Sequence, residues 1–98
     1  MKRGEILDAA KAAVTGKRVT DYGKPENNFG LISLYWTTYL GILVTAEDVA
    51  LMMALFKIGR IQTGTATEDS FADACGYLAC AGEICTEEEE DHENETGT

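Results

Sequence analysis

Apolar residues recur along this chain every three or four positions, the spacing that places them on one side of an α-helix. The first such segment covers residues 4–15, and Gly16 follows it as a stop signal. The second begins at Pro25 or two residues later, because proline fits the first turn of a helix, and ends at Leu40 before Gly41. The pattern predicts one helix in each segment.

Two more helices are predicted in the second half of the chain. The sequence TAED at residues 45–48 has the form of a capping box, which starts a helix over residues 46–62. Gly64 ends this helix, and the threonines that follow offer a cap for a helix over residues 68–85. The sequence has no alternating strand pattern of useful length. Four helices joined by short loops predict an all-α fold, a four-helix antiparallel bundle.

Charge is distributed unevenly along the chain, which has 17 acidic and 8 basic residues and a net charge of −9. Seven of the acids lie in residues 87–98, which contain no lysine or arginine, so the remainder has 10 acids against 8 bases. A segment with so little apolar surface to bury is expected to be disordered. The chain therefore divides into a helical domain, residues 1–86, and a disordered acidic C-terminal tail, residues 87–98. Because a polyanion repels phosphates, duplex nucleic acid is not an expected partner.

Neither a membrane span nor a thiolate metal site is predicted. The chain lacks an apolar run of about 18 residues and the apolar stretch of a secretory signal, so we expect a cytoplasmic protein with no membrane partner. Cys75, Cys80 and Cys85 are each five residues apart, and five residues turn about 140° around a helix. The three thiols therefore cannot converge on one zinc ion and are predicted to be small, reduced, buried side chains.

The second and third predicted helices carry more apolar residues than one helix face holds. In the second, which includes Trp36 and Tyr39, they cover about two thirds of the circumference. In the third, from Val49 to Ile61, they occur nearly all round. A helix that is apolar on every side is buried on every side, and a short chain achieves this through a subunit interface. We expect a homo-oligomer, a dimer or larger.

Two basic residues interrupt the apolar third helix, and acids follow on the fourth. Lys57 and Arg60 lie about 60° apart on one helix and share a face, and Asp69 and Asp73 share a face of the next. In one interpretation these are salt bridges between the two helices, with Arg60 paired to Asp73 and Lys57 to a nearby acid. In the other, Lys57 and Arg60 bind phosphates, because arginine suits bidentate phosphate contacts.

The ligand interpretation extends to a metal ion and a base. Asp69 and Asp73, with Glu26 from the second helix, are then candidate ligands of Mg²⁺, which prefers carboxylate and phosphate oxygens. Candidate contacts to a base or ribose are Tyr22, Asn28 and Tyr77. In the simpler interpretation, the segment DYGKPENN, which contains Tyr22 and Asn28, is a loop that caps a helix.

Several spaced motifs occur in order along the chain: DYGKPENNF, W..YL, T..DVA.MM..FKIGRI.TG and D...DACGY. With these motifs the chain resembles, over residues 3–84, a family of small phage and prophage proteins of unknown function. That family is in turn distantly similar, in its helical pattern and its K..R…D…D..GY arrangement, to MazG-like all-α nucleotide pyrophosphatases.

The second resemblance implies Mg²⁺ held by E-x-x-E and E-x-x-D pairs, with a metal-bound water that cleaves between phosphates. This chain departs from that pattern. Outside the tail, acid-x-x-acid spacing occurs only at Glu5 and Asp8, and Asp69 and Asp73 are four residues apart. The resemblance therefore implies a nucleotide and Mg²⁺ as ligands and leaves catalysis open.

Two hypotheses for function follow. The first is a small phage-type helical protein that binds a nucleotide phosphate with Mg²⁺, with hydrolysis left open. The second is a phage accessory protein that acts by binding a host protein, such as a defence factor, without catalysis. A phage-encoded protein of either kind is expected in the cytoplasm of the host cell.

Overall fold

The computed structural model describes residues 1–16, 25–64 and 68–96, and it describes side chains for residues 1–16, 28–64 and 69–87. The four helices in these ranges are α1 (Arg3–Val14), α2 (Pro25–Leu40), α3 (Ala46–Gln62) and α4 (Glu68–Thr96). The rest of the described chain is turns and loops without a strand, which confirms the predicted all-α class. None of the helices within these ranges is long and apolar enough to cross a membrane.

Local signals fix both ends of α3 where the sequence predicts them. The Thr45 side chain accepts a hydrogen bond from the Asp48 backbone N–H (3.1 Å), and Asp48 accepts one from the Thr45 N–H (3.0 Å). This is the predicted capping box, which satisfies two backbone donors that the helix itself leaves open. Gly64 follows the helix with φ of 76°, a left-handed conformation that glycine adopts without a Cβ penalty.

A side chain holds the connection between α2 and α3 in place. The Thr37 hydroxyl accepts a hydrogen bond from the Val44 N–H (2.8 Å) and donates one to the Val44 carbonyl (3.1 Å). Val44 is buried in the main apolar cluster, so both polar groups of its backbone need partners inside the protein. Thr37 therefore joins the end of α2 to the start of the core.

Helix α4 lies at the centre of the described structure, because it contacts α1, α2 and α3, while α2 also contacts α3. The main cluster joins residues of α2, the loop after it, α3 and α4: Phe29, Val44, Val49, Ala50, Cys80, Ala81 and Ile84. At Gly76, α1 approaches so closely that an added Cβ would lie 3.2 Å from a Val14 methyl group. The antiparallel bundle stays a prediction.

The observed α4 is longer than the sequence predicts, since it continues through the acidic residues to Thr96 instead of ending near Cys85. Glutamate has a high helix propensity, so a run of glutamates extends a helix that is already formed. The predicted end near residue 85 is therefore wrong. The side chains of residues 88–98 lie outside the described part, and the division into a domain, residues 1–86, and a disordered tail, residues 87–98, stays a prediction.

Candidate functional site

An ion pair between α3 and α4 lies at the centre of the predicted site. The Nζ of Lys57 is 2.9 Å from an Oδ of Asp73, and the two side chains are 19% and 33% exposed. Lys57 is five residues from the end of α3 and Asp73 five residues from the start of α4. The pair therefore joins the two helices a little over one turn from their connection and remains in contact with water.

Arg60 occupies a different position from the one that the salt-bridge interpretation gives it. Asp73 pairs with Lys57, and the Arg60 guanidinium carbon lies 5.9 Å from the centre of the Phe56 ring. The reason is rotation about α3. Lys57 lies on the same side as the buried Ala50 and Ala54, whereas Arg60 is turned about 60° from Lys57 and is exposed.

Three residues that the sequence singles out lie along one line of α4. Asp69, Asp73 and Tyr77 are spaced by four residues, which places them on one side of a helix. Asp69 is exposed, and Tyr77 packs against the main apolar cluster. The Tyr77 ring lies 6.1 Å from the Phe29 ring between centroids, at an angle of 52°. This contact brings the first turns of α2 beside the same side of α4.

The structure places the other predicted site residues only in part. Asn28 is exposed on α2, next to Phe29. Glu26 belongs to the first turn of α2, but its side chain lies outside the described part, as does all of Tyr22. The described side chains contain no group of three or more acids, cysteines or histidines close enough to hold a metal ion. The candidate metal ligands among them are the two carboxylates Asp69 and Asp73.

Two aromatic residues of the site were not predicted from the sequence. The Phe56 ring lies beside the Arg60 guanidinium. The sequence spacing could have predicted this contact, because residues four apart on a helix are neighbours. Phe29 contacts Tyr77, but these residues belong to different helices. No sequence spacing indicates that second contact, since it depends on how α2 packs against α4.

These observations define a small all-helical protein with basic and acidic side chains gathered where α3 and α4 meet. Residues 5–85 match the model of a domain of unknown function, DUF6378. The chain belongs to this family. The match confirms the predicted membership of a family of unknown function.

Two phage proteins are similar to this chain. It is 38% identical over 82 residues to the Gene 55 protein of Mycobacterium phage D29, and 35% identical over 86 residues to the Gene 55 protein of Mycobacterium phage L5. The first alignment covers 84% of this chain and 54% of the relative, and the second covers 87% and 55%. The chain thus spans about half the length of these curated relatives.

The phage relatives confirm the phage part of the predicted resemblance. No solved structure matches the chain. The more distant similarity to MazG-like pyrophosphatases stays a prediction.

Proposed function

We propose that this protein binds a nucleotide phosphate together with Mg²⁺ where α3 and α4 meet. The observation that carries the proposal is the partly exposed ion pair of Lys57 and Asp73, with Arg60 and Asp69 one turn nearer the helix connection. Cations for phosphate oxygens and carboxylates for a metal ion are thus close together. The phage-protein family does not specify a ligand, so the proposal depends on this chemistry.

The ion pair is weak enough to open for a ligand. A salt bridge that water reaches contributes about 0–1 kcal/mol, because solvent already screens both charges. Lys57 and Asp73 are both partly exposed, so a phosphate and a metal ion can separate them at little cost. In the bound state Lys57 would contact phosphate oxygens and Asp73 would hold Mg²⁺, so each charge would keep a partner of opposite sign.

Two carboxylates suit Mg²⁺ when phosphates supply further oxygens. This ion is usually bound through one or two carboxylates, the phosphates of its ligand and several waters, rather than by a complete protein cage. Asp69 and Asp73 share one side of α4 and provide the two carboxylates, and Glu26 is a third candidate. When bound, Mg²⁺ would neutralise phosphate charge. Hydrolysis is not part of this proposal.

Arg60 has the chemistry of a second phosphate contact. Its guanidinium is planar and forms paired hydrogen bonds to phosphate oxygens. The nearby Phe56 ring offers a cation–π contact that orients the guanidinium without competing for its hydrogen bonds. Lys57 and Arg60 share a face of α3, so both can contact one phosphate group.

Thermal unfolding of the whole chain with a panel of nucleoside mono-, di- and triphosphates, each with and without Mg²⁺, tests the proposal. A ligand at about 100 times its Kd stabilises the folded state by about 2.7 kcal/mol, which corresponds to a Tm rise of several degrees. We expect such a rise with at least one nucleotide and a smaller rise without Mg²⁺.

Variants then locate the site. Lys57→Ala and Asp69→Asn should weaken binding by roughly 10- to 100-fold, because each removes a charged contact. Lys11→Ala, which removes an exposed lysine of α1, is the control and should bind as the unaltered chain does. The proposal is wrong if no nucleotide raises the Tm, or if Lys57→Ala and Lys11→Ala respond alike.

A further inference from the structure

Helix α3 presents a row of large apolar side chains to solvent on the side opposite its buried face. The row, here called the α3 stripe, consists of Leu51, Met52, Leu55 and Ile58. Their exposed fractions run from 38% for Leu51 to 64% for Leu55. Because these residues follow helical spacing, they form one continuous surface along the helix.

Helix α2, which packs against α3, carries a second exposed apolar row. This α2 stripe consists of Leu31, Leu34, Tyr35 and Tyr39, and Tyr39 is 88% exposed. The inner side of α2, which includes Phe29, packs into the main cluster. Both helices therefore bury one side in the subunit and leave another apolar side uncovered.

The combined exposed area of the two stripes is that of a protein–protein interface. With roughly 200 Å² for each large apolar residue, the two stripes expose on the order of 900 Å². A stable protein–protein interface buries about 800 Å² on each partner, so the stripes have the area that one such interface needs.

The distribution of charge indicates a second copy of this chain as the occupant. Neither stripe contains a charged residue, so the surface does not repel itself. In an interface between two copies, each uncharged stripe can lie against the same stripe of the other copy.

We propose that two copies associate through their α2 and α3 stripes around a two-fold axis. Such an isologous interface uses the same patch on both subunits. This interface explains why α2 and α3 carry apolar residues on sides that are not buried within a single subunit.

Sedimentation equilibrium of the whole chain at tens of micromolar tests the interface. The mass of one chain is 10.6 kDa, and we expect twice this value. Leu55→Glu and Tyr35→Glu should each raise the dimer dissociation constant at least about 30-fold, because each places a charge in the buried centre. Leu78→Glu is the matched control, since Leu78 is a half-exposed leucine of α4 outside both stripes.

Circular dichroism of each variant shows whether it keeps its helices, and the mass of the unaltered chain tests the proposal without any substitution. A monomer at these concentrations would overturn the proposal, including the case in which the monomer instead binds a host protein. So would a dimer that survives Leu55→Glu with its helices intact, or one that Leu78→Glu disrupts equally.

Discussion

Lys57 on α3 and Asp73 on α4 form a 2.9 Å ion pair that remains partly exposed to water. Each residue lies five positions from the helix end that faces the α3–α4 connection. The pair therefore marks the place where these helices meet, and water reaches part of both side chains. Its strength decides whether the site can open, because a ligand that uses both charges must first separate them.

A double-mutant cycle on Lys57→Ala and Asp73→Ala should give a small coupling energy. We expect about 0.2–1 kcal/mol from urea unfolding, and less at high salt, because solvent and ions screen a pair at this exposure. A second cycle on Lys57→Ala and Asp69→Ala is the control, because the ion pair of Lys57 is with Asp73. A coupling of about 3 kcal/mol or more, the size expected for a buried pair, would show that the pair is a structural lock and would contradict an opening site.

Thr37→Val should destabilise the protein by about 1–3 kcal/mol, because it removes both hydrogen bonds to the backbone of the buried Val44. The neighbouring Thr38→Val provides a matched control. The Thr38 hydroxyl is exposed and donates to the Leu34 carbonyl within its own helix, so its loss should change stability by about 0.5 kcal/mol or less. Urea unfolding of both variants measures the difference, and equal effects would contradict the role assigned to Thr37.

Gly82→Ala should stabilise the protein by about 0.5–1 kcal/mol, because alanine is the better helix former and an added Cβ meets no atom within 4 Å. Gly76→Ala should gain less or lose stability, because its Cβ would lie 3.2 Å from a Val14 methyl group. Val14→Ala should cost less in the Gly76→Ala background than alone, since it removes the crowded methyl. Equal gains at the two glycines, with no coupling to Val14, would contradict the close approach of α1 to α4.

Much of the helical pattern could be predicted from the sequence, because local residues set it. Helix α3 begins and ends where the capping box at residues 45–48 and Gly64 place it. Helix α2 likewise runs from Pro25 to Leu40, and Gly41 follows with φ of 73°. These signals act within a few residues of each helix end and do not depend on packing. The far end of α4 has no such signal, and its predicted position was wrong by 11 residues, from 85 to 96.

The candidate site was less predictable because it depends on how helices rotate against one another. Spacing shows that Lys57 and Arg60 share a face of α3, but it does not show which of them meets Asp73. That choice follows from the buried side of α3, which includes Ala50 and Ala54 and lies nearer Lys57. The contact between Phe29 and Tyr77 depends on packing in the same way.

Amide chemical-shift mapping by NMR, with the whole chain titrated by a nucleoside triphosphate and Mg²⁺, tests the central claim most directly. The account predicts that the largest shifts fall around residues 57–60 of α3 and 69–77 of α4, and that Lys57→Ala removes them. Asn28 in the first turn of α2 should respond as well, because Phe29 beside it contacts Tyr77. A spectrum without shifts, or with its largest shifts on α1, would contradict a nucleotide site between α3 and α4.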